Sequence, residues 1–155
     1  MNILVTGGLE FIGSHTTIDL IKNNHTVIIA YNLINSKIEV LDKLYTITGI
    51  KPSFYKIDVT DEVKVEEIFN NHRIDGVIHF AGLKAVGESV SKPLEYYYNN
   101  LVSTMMLSKL CVKIGVDKFV FSSSATVYGD QPSPLREGIE CQLPSKNVTK
   151  QKIIS

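Results

Sequence analysis

The sequence predicts an α/β fold built on a doubly wound parallel sheet. Two observations carry that prediction. Short apolar runs rich in β-branched residues alternate with longer stretches of helical periodicity as far as Ser122, and a glycine-rich turn separates the first such run from the first helical stretch. Strands that alternate with helices must be joined by crossovers, which leaves them parallel with helices on both faces. A length of 155 residues suits one domain and is enough to bury a core.

In chain order, residues 3–6 form a short apolar run closed by a glycine pair, which reads as a buried strand. Residues 11–23 carry Phe11, Ile12, Leu20 and Ile21 and stop at Asn23 and Asn24, so a helix opens at the glycine turn. Residues 26–30, Thr-Val-Ile-Ile-Ala, are a second strand. These three elements fill about 30 residues, the length of one βαβ crossover unit. Residues 38–46 are helix-like, 52–57 strand-like, and 61–70 helical, with Val63, Ile68 and Phe69 between charges. A fourth strand is expected at 76–80. A long helix follows at 93–115, carrying Leu101, Met105, Leu107 and Cys111, and then a fifth strand at 118–122. Beyond Tyr128 the chain is irregular, with Pro132, Pro134 and Pro144, and residues 146–155 read as the start of another helix. There is no internal repeat and no low-complexity linker.

Composition narrows the function. Hydrophobic residues make up 44% and charged residues 21%, an ordinary globular balance. Lys plus Arg and Asp plus Glu are equal at 16 each, so no basic patch is expected for a phosphate backbone and nucleic acid is not an expected partner. Cys111 and Cys141 lack metal-ligand spacing; no metal site is expected, and two free thiols suit a reducing cytoplasm. The first residues do not form a signal peptide, and no run of about eighteen apolar residues occurs, so no membrane partner is expected.

The glycine turn reads Thr6-Gly7-Gly8-Leu9-Glu10-Phe11-Ile12-Gly13. Glycines at such a turn allow a tight bend and a close backbone approach, and the helix that follows offers N–H groups to a pyrophosphate. A tight βα turn without a ligand uses the same residues. The position of this one, the first βα turn, is where a doubly wound sheet binds nucleotides.

Three strings make the resemblance specific. The turn resembles the Thr-Gly-Gly-x-Gly-x-Ile-Gly fingerprint of the extended short-chain dehydrogenase/reductase superfamily. His79-Phe80-Ala81-Gly82-Leu83-Lys84-Ala85-Val86-Gly87-Glu88-Ser89 and Ser122-Ser123-Ser124-Ala125-Thr126-Val127-Tyr128-Gly129 resemble blocks of the UDP-glucose 4-epimerases. The resemblance implies a Rossmann-like fold, NAD as cofactor, a UDP-sugar as partner, and interconversion of UDP-glucose and UDP-galactose in galactose metabolism. It also implies a homodimer through the helix at 93–115. On its terms NAD would be held by Gly7, Phe11, Ile12 and Gly13 in the turn, Asn32, Asn35 and Ser36 after the second strand, Asp58 and Val59 after the third, Phe80, Ala81, Gly82 and Lys84 after the fourth, and Asn99 in the long helix. Asp58 and Asp61 are both candidates to cap the helix that follows them. Ser124 and Thr126 would meet the sugar, and Ser124 and Lys152 would be the catalytic residues present.

Three positions depart from the family's pattern. Glu10 stands where the middle glycine would be, and adds a side chain and a negative charge beside an expected anion. Tyr31 ends the second strand in place of an aspartate that accepts ribose hydroxyls. In the family's Tyr-x-x-x-Lys pair, the lysine falls on Lys152 but the tyrosine falls on Val148. The resemblance covers all 155 residues but only about the first half of the family's chain. It therefore implies an incomplete dinucleotide-binding domain over 1–155, an absent UDP-sugar domain and impaired catalysis. A non-catalytic nucleotide-binding or dimerisation module is the alternative.

Overall fold

The structure is a computed structural model that describes residues 1–123 and positions 128, 132, 134, 136, 138 and 139. The elements run β1 (Asn2–Thr6), α1 (Phe11–Lys22), β2 (Thr26–Ala30), α2 (Val40–Thr48), β3 (Ser53–Tyr55), α3 (Glu62–Asn71), β4 (Gly76–His79), α4 (Val86–Ser91), α5 (Pro93–Ile114) and β5 (Phe119–Phe121). The strands form one parallel sheet in the order β3-β2-β1-β4-β5.

Alternate residues of the central strands feed two cores, as a strand's period of two requires. On one face Leu4, Ile28, Ala30 and Val77 pack with Val65, Ile68 and Phe69 of α3 and Met106, Leu107, Leu110 and Cys111 of α5. On the other, Ile3, Val5, Val27 and Ile29 pack with Ile21 of α1 and Leu41 and Leu44 of α2. Burial on both faces explains why these strands read as unbroken apolar runs. The expected doubly wound sheet is therefore present.

Its details differ from expectation in three places. The second helix is Val40–Thr48, displaced toward its C-cap Gly49, whose φ of 72° places it in the left-handed region. The third strand is shorter, Ser53–Tyr55. A six-residue helix, α4, occupies Val86–Ser91, where no element was expected.

Because β1 pairs with β2 on one side and β4 on the other, the chain reverses its winding direction at β1. The carboxyl ends of β1 and β4 flank that switch point, the place where open α/β sheets form a ligand crevice.

Candidate functional site

The turns after β1 and β4 lie against each other. Gly7 has φ +68°, and a Cβ there would stand 2.9 Å from the Ala81 nitrogen. A Cβ on Gly13 would overlap the Gly7 carbonyl oxygen, so α1 sits directly on the turn. Both positions need glycine, one for its φ and one for space. The first turn of α1 holds no acidic residue, and its N-cap, Glu10, makes no side-chain cap bond. The N–H groups there take no carboxylate from the helix's own start.

A chain of hydrogen bonds braces these turns from beneath. The Ala81 N–H donates to Thr6 Oγ1 (3.3 Å), and Thr6 Oγ1 is 2.6 Å from His79 Nδ1. His79 Nε2 is 3.1 Å from Thr104 Oγ1, which donates to the Asn100 carbonyl at 2.8 Å. Since the Thr104 hydroxyl is spent as a donor, it accepts from Nε2–H, and the Thr6 hydroxyl then donates to Nδ1. Burial pushes His79 down to about 4, and the Lys84 charge adds to it, so the ring is neutral as this network needs. Asn100 completes the brace from α5. Its amide accepts from Leu83 N–H (2.8 Å) and donates to the Leu83 carbonyl (3.0 Å). Sequence reasoning assigned Asn99 and passed over Asn100, because no motif distinguishes the two.

Above the brace lies a shallow, open cleft. Of the residues expected at the cofactor, it is lined by Asn32, Asp58, Val59, Ala81, Gly82 and Asn99. Ile34, Ile57 and Leu83 line it too and carried no sequence signal. Asp58 is free for the cleft because Asp61, not Asp58, caps α3 by accepting from the Lys64 N–H. One Asp58 oxygen, Oδ1, is held by the Thr60 N–H and hydroxyl at 2.9 and 2.7 Å.

The other expected residues do not line the cleft. Gly7 and Gly13 shape the turn beside it, and Phe80 packs against the core on the α1 face. Phe11 and Ile12, at the start of α1, carry exposed side chains, 81% and 58%, and neither lines the cleft. Ser36 donates to the Leu9 carbonyl (2.7 Å), and the Asn35 N–H donates to the Tyr31 hydroxyl (2.8 Å). The Ser36 hydroxyl and the Asn35 backbone N–H are thereby spent on loop structure, while the Asn35 side chain stays exposed. Ser124, Thr126, Val148 and Lys152 lie outside the described residues.

The two departures within the described residues meet. Tyr31 is 3% exposed, and its phenol is pushed up to about 12, first by burial and then, against the Asn35 N–H, by the Glu10 carboxylate beside it. Glu10 also reaches Lys84, with 2.7 Å between its Oε2 and Nζ. Lys84, expected to hold NAD, is thus paired at the edge of the cleft with the residue that replaces the glycine. Shape and donors otherwise fit a dinucleotide: a glycine cradle, open helix N–H groups, and Asn32 and Asp58 at the far end.

Residues 3–149 match the NAD dependent epimerase/dehydratase family. UDP-glucose 4-epimerase of Neisseria meningitidis serogroup A is 55% identical over 129 residues, 83% of this chain and 38% of that protein. UDP-glucose 4-epimerase of Yersinia pestis is 46% identical over 155 residues, 99% of this chain and 46% of its own length. The crystal structure of UDP-glucose 4-epimerase from Bifidobacterium longum in complex with NAD+ and UDP superposes with a TM-score of 0.86 at 48% identity, covering 92% of this chain and 43% of that one. The chain thus spans less than half the length of each of these relatives.

Proposed function

The chain belongs to the NAD dependent epimerase/dehydratase family, and we propose that it is the dinucleotide-binding part of a UDP-glucose 4-epimerase-like protein, with NAD as cofactor and a UDP-sugar as substrate. The observation that carries this is the cleft at the β1/β4 switch point, where Asn32, Asp58, Ala81, Gly82 and Asn99 converge beside the glycine cradle. The open N–H groups of α1 would face the pyrophosphate. Asp58 and Val59 would take the adenine edge and Asn32 a ribose hydroxyl, while Ala81, Gly82 and Asn99 would lie along the nicotinamide half.

NAD, when bound, supplies the acceptor for a hydride from the sugar ring. The chain must supply the proton chemistry. By family resemblance Ser124 would hydrogen-bond the reacting sugar oxygen, Thr126 would contact the sugar, and Lys152 would support a phenolate one helical turn away. At that position stands Val148, which has no proton to exchange, and no tyrosine follows Tyr128. A general base contributes about a hundred- to ten-thousandfold, so epimerisation by this chain is impaired. The UDP-sugar-binding half corresponds to the part of the relatives that these residues do not cover. No helix among the described residues is long and apolar enough to cross a membrane; the free thiol of Cys111 supports a reducing, cytoplasmic setting.

Calorimetric titration of the folded chain with NAD, followed by an assay with UDP-galactose, tests both halves. Saturable micromolar binding with no measurable turnover is expected. Absence of binding by a folded sample overturns the cofactor assignment, and robust turnover overturns the impairment.

A further inference from the structure

We propose that Glu10 and Lys84 form a charge latch at the edge of the dinucleotide cleft, which closes the pyrophosphate seat with the chain's own carboxylate and must open before a dinucleotide can enter. This rests on the dinucleotide reading above and adds to it a named competitor inside the site.

Four observations converge on the latch. Glu10 is the N-cap of α1, yet its side chain leaves the helix start and turns instead to Lys84 on the turn after β4, 74 residues away. The Glu10 side chain is only 14% exposed, so the carboxylate lies within the cleft wall and not on an outer surface. Glu10 and the buried Tyr31 line the cleft together, and the Glu10 charge is felt at the phenol. The two turns it ties together already lie against each other, Gly7 against Ala81.

A phosphate entering at the glycine turn would meet a carboxylate of like charge, and the one cation within reach of that carboxylate in the described residues is already engaged by it. Lys84 is the end of the latch that can swing away, being 57% exposed while Glu10 is 14% exposed. Swung free, the same ammonium becomes available to the incoming diphosphate. The latch is therefore a selectivity element. It acts against ligands that carry phosphate at the turn and leaves the adenosine end, lined by Asn32, Asp58 and Val59, untouched.

The test compares the unmodified chain with Glu10→Gln and Glu10→Gly, each confirmed folded by circular dichroism, titrated calorimetrically with NAD and with adenosine. Glu10→Gln keeps the bulk and removes the charge; Glu10→Gly removes both. NAD affinity is expected to rise at least threefold in Glu10→Gln and at least tenfold in Glu10→Gly, while adenosine affinity stays within twofold throughout. A gain confined to Glu10→Gly means plain steric obstruction and overturns the charge latch. Equal NAD binding by all three chains overturns the latch and leaves the cofactor assignment standing. Absence of both NAD and adenosine binding in all three folded chains overturns the cofactor assignment and the latch with it.

Discussion

At the scale of single residues, the centre of the site is a histidine that the expected chemistry does not use. His79 is 1% exposed, and its ring nitrogens are fully engaged by the threonines of β1 and α5. Its value in the fold, about 4, lies below the ordinary 6.5, first because of burial. Between those two values the unfolded chain binds more protons than the folded one, so stability is fully present above about pH 6.5 and is lost as pH falls toward 4. The full loss is on the order of 3 kcal/mol. Melting temperatures measured from pH 7.5 to 4.5 should fall more steeply in the unmodified chain than in His79→Gln; parallel slopes would show that His79 does not titrate on unfolding. The sequence hid this role. His79 was legible only as part of a family string, because its partners Thr6 and Thr104 stand 73 and 25 positions away. The meeting of Glu10, Tyr31 and Lys84 was hidden for the same reason, since each departs or matches separately along the chain.

At the scale of elements, legibility followed apolar runs and helical period. The strands announce themselves through residues that face a core, whereas α1, α3 and α5 were marked partly by apolar residues that stay exposed, Phe11, Ile12, Val63, Leu101 and Met105 among them. Helix α4 has no buried residue and contains a glycine, two valines and two serines, so neither period nor propensity marks it. It is held from outside, by the Tyr96 hydroxyl donating to Glu88 at 2.8 Å and by Lys92 on the same carboxylate. Two glycines separate these regimes. An alanine at Gly13 would overlap the Gly7 carbonyl, whereas one at Gly87 in α4 meets nothing within 4 Å. Gly13→Ala should destabilise by about 1–3 kcal/mol through overpacking. Gly87→Ala should stabilise by about 0.5–1 kcal/mol through helix propensity if α4 unfolds with the rest. Urea midpoints moving in opposite directions would bear this out; a tolerated Gly13→Ala would mean that α1 can shift off the turn.

At the scale of the whole molecule, the parallel sheet followed from the alternation of elements, but its strand order and its surface did not. Along α5, Leu94, Tyr98, Leu101, Met105 and Val112 are exposed at spacings that form one stripe, and Val120 and Phe121 are exposed on β5, an edge strand among the described residues. Contiguous apolar surface of this kind favours association. We therefore expect the chain to self-associate through the α5 face, in line with the homodimer that the family resemblance implies. Light scattering should give a mass that rises with concentration, and Leu101→Lys combined with Met105→Lys should return it to that of a monomer. A monomeric mass for the unmodified chain at every concentration would count against this face. Periodicity could place those residues on a helix, but not say which side of it the sheet would leave bare.

The position of β1 at the middle of the sheet also sets a timetable. Its partner β2 arrives soon after it during synthesis, but Thr6 waits for His79, 73 residues later, before its other edge is paired. At ribosomal speeds of roughly 5–20 residues per second, that edge stays open for roughly 4–15 s. Through that interval the central strand, flanked on one side only, presents an unpaired row of N–H and C=O groups to anything extended nearby. The architecture that creates a crevice in the finished protein thus asks the nascent chain to protect its own centre until the second half of the winding emerges.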